Sequence, residues 1–426
     1  MQRVRLLLGI SIFWLALSMI FDGINSLVLP QRLLGLVDDA SKATMLGLLS
    51  FVGLIVGMLV QPLAGAFSDR VRPRWGRRGS LALGVLVLLP SLALFGLSRR
   101  VLAVVVGYVL IQVAASVAQA AQQGFLPDLV ATGWRGTAAG FKLFMDLGGA
   151  LLGFIVLGQL LGAGQTTPAL LAIGGVVVVT FLLTVALVRE PSPSAAPGWG
   201  RVTLVDAFQL DLRRHRAFVW LVASRFLFLL GTYIVGRFLL FFVTDRLGLD
   251  PGRATKEAGS LLAALTLLTV ALSLPAGWAA DRLGRMPLMR AGALVSALGA
   301  LLLIVAGSTT HILLFGGLMA IGSAAFAGAN WALIADLSPP AEAGRFYGLA
   351  NVGTGGAAAA AGLVGPVVDW ANGIMPGVGY TALFVASALA FLASALALRR
   401  ITMPSERPAA PGGRYEAGQG LGSAGS

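Results

Sequence analysis

The chain contains no cysteine and only two histidines. Disulfides, iron–sulfur clusters and thiolate metal sites are therefore excluded, and a structural zinc site lacks ligands. Charge is scarce as well. Charged residues make up 12% of 426, about half the roughly 25% of a soluble domain, and 57% of residues are hydrophobic. So little polar surface cannot cover a water-soluble globule of this length. No Gly-x-x-x-x-Gly-Lys-Ser/Thr loop occurs, which argues against an ATP-driven pump in one chain. No nucleophile–base pair or metal constellation stands within the apolar stretches, so the chain does not read as an enzyme.

The charge that is present is basic, with a formal net value of +13. In a soluble protein this excess would point to nucleic acid. Here the basic residues sit in short connectors between apolar runs, the topology pattern of a membrane protein. The expected partners are a lipid bilayer and a small-molecule solute, with no nucleic acid.

A membrane-crossing helix needs about 20 mostly apolar residues. Twelve such stretches are expected: 6–29, 43–67, 80–98, 101–126, 137–162, 168–188, 217–243, 257–280, 287–306, 311–334, 342–368 and 378–398. The first follows Met1-Gln2-Arg3-Val4-Arg5 and continues to Leu29 without a small-residue cleavage pattern. It reads as a membrane helix, not a signal peptide. The one long interior connector, 189–216, is rich in Pro and Ser at first and basic later. It divides a six-helix half (1–188) from a second (217–398), and the Pro/Gly/Ser-rich tail, 399–426, is expected to be disordered. Of the 31 Lys and Arg residues, 21 fall with the amino terminus, the linker, the carboxyl tail and the connectors on their side. Seven fall on the opposite side, and Lys142, Arg225 and Arg237 lie inside helices. The positive-inside rule then places both termini in the cytoplasm of a cell-membrane protein.

The chain also repeats itself. Gly65-Ala66-Phe67-Ser68-Asp69-Arg70 is echoed by Gly277-Trp278-Ala279-Ala280-Asp281-Arg282, an offset of 212 residues. Asp128-Leu129, with Gly140 beyond, is echoed by Asp336-Leu337, with Gly348 beyond, at an offset of 208. A duplicated, almost wholly apolar chain is the signature of a carrier built from two halves around a central path.

The loop Gly65-Ala66-Phe67-Ser68-Asp69-Arg70-Val71-Arg72-Pro73-Arg74-Trp75-Gly76-Arg77-Arg78 resembles the signature between helices two and three of the major facilitator superfamily. With the preceding Gln61-Pro62-Leu63-Ala64, the Arg-x-Pro-Arg-x-Gly-Arg-Arg continuation is similar to the sucrose-transporter and glycoside–pentoside–hexuronide:cation symporter branch. Gly79 stands where that branch usually has a third Arg. Arg225-Phe226-Leu227-Phe228-Leu229-Leu230-Gly231 resembles the start of the branch's seventh helix. Leu126-Pro127-Asp128-Leu129, followed by Arg135-Gly136, resembles its fourth connector. The resemblance implies an all-α membrane protein with twelve transmembrane helices in two pseudo-symmetric halves. It implies a monomer that takes up a sugar or glycoside by alternating access. It also implies a conformational latch from Gly65, Asp69, Arg70, Gly76, Arg77 and Arg78, repeated as Gly277, Asp281, Arg282, Gly284 and Arg285. Physically, Gly65 lets helix backbones approach, and Asp69 can meet the positive end of a neighbouring helix. The arginines can pair with Asp69 or bind anionic lipid heads; topology anchoring alone is the plainer reading.

Ionisable residues inside the membrane are costly and point to function. Asp22 lies about 6 Å outward of the first helix's midpoint and shares a polar stripe with Ser18, Asn25 and Ser26. A carboxylate there can carry a proton, or act structurally by snorkelling outward. Asp146 is a second candidate for proton coupling, although Lys142, four residues away, can neutralise it. Arg225 lies near the cytoplasmic end of the seventh helix and can snorkel. Arg237 lies about 10 Å outward of that helix's midpoint and is expected to form a gating or coupling pair with Asp22. In the fourth helix Gln112, Ser116, Gln119 and Gln123 share one face. They can bind sugar hydroxyls or glue helices together. Asn330, opposite Gln122 in the repeat, and Trp331 suit a pyranose ring or lateral packing. Asn25, Gln112, Gln119, Gln123, Tyr233, Arg237, Asn330 and Trp331 are thus the expected solute contacts. No cofactor is expected. H⁺ is the expected coupling ion, with Na⁺ an alternative through Asp22, Asn25 and Ser26. Export of amphipathic drugs or organic anions is the rival function.

Overall fold

The computed structural model describes residues 2–131, 134–190, 215–338 and 343–401. Within these, the side chains of residues 2, 69–75, 127, 135, 136, 343–345 and 347 lie outside the described residues. Among the described residues, twelve helices are long and apolar enough to cross a membrane. They are α1 (Arg3–Leu34), α2 (Lys42–Ser68), α3 (Gly76–Leu97), α4 (Val101–Leu126), α5 (Thr137–Gly162) and α6 (Thr166–Leu187) in the first half. The second half holds α7 (Arg216–Leu247), α8 (Pro251–Leu283), α9 (Arg285–Val305), α10 (Thr309–Leu337), α11 (Gly348–Ile374) and α12 (Val378–Arg400).

Local chemistry sets several helix starts. Asp250 caps α8 by accepting from the Arg253 amide at 3.1 Å, with Pro251 at the first helical position. Ser308 caps α10 by accepting from the His311 amide at 3.2 Å. The expected loop between the second and third helices is instead helical. One helix runs Lys42–Leu97, broken only at Gly76, whose φ of 64° and ψ of −179° are open to glycine. The two halves explain this. Asp69 and Arg77 are eight residues apart, while Asp281 and Arg285 are four apart. The four extra residues make about one turn of α-helix, so the insertion lengthens the helix.

The middle of α1 is π-helical from Met19 to Val28. Asn25 Nδ2 donates to the Phe21 carbonyl at 2.5 Å, the acceptor an α-helix would offer to the Asn25 amide. Such segments recur at functional sites, and this one carries Asp22.

Without a hydrophobic drive between helices in lipid, close packing and interhelical hydrogen bonds hold each half together. In the first half a Cβ at Gly53 would strike the Tyr108 ring, and one at Gly57 would lie 3.0 Å from Ser116 Oγ. In the second half Ser224 and Ser394 hydroxyls lie 2.9 Å apart, and Ser387 Oγ donates to the Gly231 carbonyl at 2.8 Å. The halves meet in the part of the bundle away from the termini, here called the distal side. There α5 meets α8 where Gly158 faces Gly259 and Gly162 faces Gly252. On the other flank α2 meets α11 where Gly47 faces Gly362 and Ala43 faces Gly365.

Candidate functional site

Three polar layers stand along the bundle. The distal layer joins the halves. Lys42 Nζ at the start of α2 pairs with Asp245 Oδ1 near the end of α7 at 2.7 Å, and with Asp39 at 3.3 Å. Tyr380 of α12 donates to the other oxygen of Asp245. Asp369 of α11 accepts from the backbone amides of Ala43 at 3.3 Å and Thr44 at 2.6 Å. A carboxylate of one half thus caps the positive end of a helix in the other. None of Lys42, Asp245, Asp369 or Tyr380 was expected, since a pairing across halves leaves no local pattern.

The middle layer holds most of the expected site residues. Ser18 Oγ donates to Asp22 Oδ2 at 2.9 Å, and the Asp146 carboxylate lies within electrostatic reach of Asp22. Lys142 makes no ion pair with Asp146; its ammonium lies 3.7 Å from the centre of the Trp14 ring. The expected mutual neutralisation is therefore replaced by a cation–π contact with the charge of Asp146 at longer range. Asn25 is buried between α1 and α4, and Tyr108 OH donates to its Oδ1 at 2.6 Å. Tyr108 begins the stripe that continues through Gln112 and Ser116. It was missed although the four-residue spacing extends back to it. Gln112 is buried, Gln119 is half-buried, and Gln123 accepts from Gln61 Nε2 at 3.3 Å.

The second half supplies the arginines. Arg225 is 7% exposed and does not snorkel. Its Nη1 donates to Asn330 Oδ1 at 2.6 Å, its Nε donates to Thr354 Oγ1 at 3.1 Å, and its guanidinium lies 4.2 Å from the centre of the Trp331 ring. The expected solute contacts Asn330 and Trp331 thus engage Arg225. Gln122, the repeat counterpart of Asn330, donates to the Ile10 carbonyl at 2.7 Å. Arg237 and Asp22 form no ion pair. Asp22 is turned to Ser18 and α5, while the groups acting on Arg237 are the hydroxyls of Tyr108 and Tyr233. Tyr233 of α7 is half-buried and lies within the electrostatic reach of Asp22, Asp146, Arg225 and Arg237.

The third layer lies on the side of the termini. Arg77 Nε pairs with Asp128 Oδ2 at 2.7 Å. The guanidinium crosses Gly124, where any side chain would collide with it. Glu190 accepts from the amides of Arg77 at 2.8 Å and Arg78 at 2.9 Å, capping α3. Glu190 thus meets the positive end of α3; the side chains of Asp69 and Arg70, and the helix-end role expected of Asp69, lie outside the described residues. In the second half Arg285 pairs with Asp336, and Arg282 lies 4.1 Å from the centre of the Trp278 ring. Asp281 is exposed. At Gly65 a Cβ would meet nothing within 4 Å among the described residues, so the close approach expected there is not seen, whereas a Cβ on Gly328 would lie 3.9 Å from the Gly277 backbone nitrogen.

Two six-helix halves around a layer of membrane-buried charge, with matching ion pairs on one side and a polar seam on the other, define a carrier. A model of the family described as MFS/sugar transport protein matches residues 40–398. The chain belongs to this family, a transporter and not an enzyme. Among solved structures it is similar to the nucleoside transporter NupG, with a TM-score of 0.71 and 16% identity over 93% of this chain and 98% of that one. It is also similar to the peptide transporter POT bound to sulfate, with a TM-score of 0.70 and 14% identity over 93% and 94%. A bacterial homologue of the human lysosomal transporter Spinster gives a TM-score of 0.66 and 16% identity over 94% and 95%. A curated relative, the multidrug resistance protein MdtH of Sodalis glossinidius (strain morsitans), is 32% identical over 130 residues. That match covers 30% of this chain and 31% of the relative.

Proposed function

We propose that the chain takes up a sugar or glycoside together with H⁺ by alternating access. The observation that supports this reading is a pair of half-buried carboxylates on α1 and α5, Asp22 held by Ser18 Oγ at 2.9 Å with Asp146 acting on it electrostatically. Two nearby carboxylates can share a proton, and releasing it leaves like charges that repel. Residues 1–188 and 217–398 rock as two bodies joined by the linker 189–216. Gln112, Gln119, Gln123 and Tyr233 supply uncharged hydrogen-bonding groups for sugar hydroxyls. The Arg77 and Arg285 layer, with Asp69, Arg70, Asp281 and Arg282, acts as the latch. Both termini lie in the cytoplasm, so the closed distal seam is the outer gate. The chain works as a monomer in the cell membrane.

The test is external pH in a lightly buffered suspension of vesicles carrying the protein, with sugars and glycosides added in turn. Alkalinisation by one sugar class, lost in Asp22→Asn, is the expected result. No response to any sugar, with the protein inserted, overturns it. Dependence of uptake on Na⁺ with no pH change would transfer the coupling role to Na⁺. A second reading, export of amphipathic drugs or organic anions, is favoured by the segment shared with MdtH.

A further inference from the structure

Arg237 is the anomaly of the middle layer. It is 5% exposed, and its Nε and Nη1 atoms are buried with no hydrogen-bond partner. Burying a guanidinium in the membrane without a counter-charge is costly. The comparison with Arg225 is direct, because that side chain, on the same helix, has Asn330, Thr354 and Trp331 around it. Tyr233, Gly236 and Arg237 share one face of α7 through their spacing of three and four. A Cβ at Gly236 would meet nothing within 4 Å, so free space adjoins this face. The hydroxyls of Tyr108 and Tyr233 act on Arg237 from α4 and α7. Tyr108 OH donates its one proton to Asn25 Oδ1, which leaves the Tyr233 hydroxyl as the donor for an oxyanion.

We infer that Arg237, on the face of α7 beside the open space at Gly236, is the docking point for an acid group on the transported solute, which is therefore a small organic anion bearing a carboxylate or an acid of similar shape. The inference rests on the carrier reading above and narrows its solute. A planar guanidinium whose Nε and Nη1 have no partner can grip a carboxylate in a bidentate fork that pairs Nη2 with either of them. The solute supplies the counter-charge that the protein does not. This also assigns the carboxylates a separate task. Asp22 and Asp146 stand with α1 and α5, so a proton there and an anion on α7 occupy different halves of one layer.

The test uses the full-length purified protein in detergent and follows thermal unfolding by tryptophan fluorescence. The probes are acetate and gluconate, with acetamide and sorbitol as neutral counterparts, at constant ionic strength. Saturable stabilisation by the anions alone is the expected result. In Arg237→Gln the response disappears, and in Arg237→Lys, which keeps the charge but not the fork, half-saturation shifts upward by about tenfold. An equal response in wild type and Arg237→Gln places the anions elsewhere and overturns the proposal. So does the absence of any anion response in wild type. If Arg237→Gln does not fold, an unshifted titration in Arg237→Lys overturns it equally. The vesicle experiment is separate: anion binding without sugar-driven alkalinisation removes the neutral sugar, and the reverse removes the anion site.

Discussion

The two halves carry the same ion pair in unequal settings. Arg77 and Asp128 lie 208 residues before Arg285 and Asp336, so each pair is the image of the other. Each follows a glycine with positive φ, 64° at Gly76 and 87° at Gly284. The first pair is mostly buried, with side chains 9% and 17% exposed, against 31% and 46% for the second. The first also has Glu190 capping the helix that bears Arg77. At the matching place the second half has Leu398, whose carbonyl accepts from Arg290 at 3.0 Å. Duplication preserved the contact, and the surroundings made one copy structural and the other loose. The second half has the more exposed copy.

Four substitutions test this contrast. Arg77→Gln removes a charged partner 2.7 Å from a largely buried carboxylate and should cost about 3 kcal/mol of stability, read as a large fall in melting temperature. Asp69→Asn should slow transport about tenfold while leaving expression unchanged, a barrier change of ~1.4 kcal/mol; normal rates would remove Asp69 from the latch. Glu190→Gln should cost about 1 kcal/mol, the scale of a charged helix cap. Arg285→Gln should cost ~0.5 kcal/mol, because a half-exposed pair is screened. If Arg285→Gln destabilises as much as Arg77→Gln, the halves are equivalent and the asymmetry has no energetic content.

The helices were legible because each is a long apolar run, and the repeat gave the two halves. The connector after α2 was misread because Pro73, Gly76 and five arginines look like a loop. Only the four-residue difference between repeats reveals an added turn. Asp22, Asp146, Tyr233 and Arg237 could be singled out since charge and hydroxyls stand out in apolar helices, and in the structure Tyr233 lies within electrostatic reach of the other three. Their partners were not found. Pairing Asp22 with Arg237 assumed that opposite charges at similar depth meet, whereas side-chain direction turned one toward α5 and the other toward α4. Asn330 was read as free to bind solute because nothing local announces the hydrogen bond to Arg225, 105 residues earlier. Asp369 caps a helix more than 300 residues away, which no window of sequence can show.

The meeting of α2 and α11 at Gly47, Gly362 and Gly365 has a mechanical consequence. Main chain rests directly on main chain there, since a Cβ on Gly47 would collide with the Gly362 carbonyl. Such a contact has no interlocking side chains to lift over one another, so it acts as a smooth bearing on which the two bodies can part and reseat. A bulky residue at Gly47 would behave as a wedge. Gly47→Leu should leave each half folded yet prop the distal side ajar, and the cysteine-free chain accepts single labels on either flank to measure that gap.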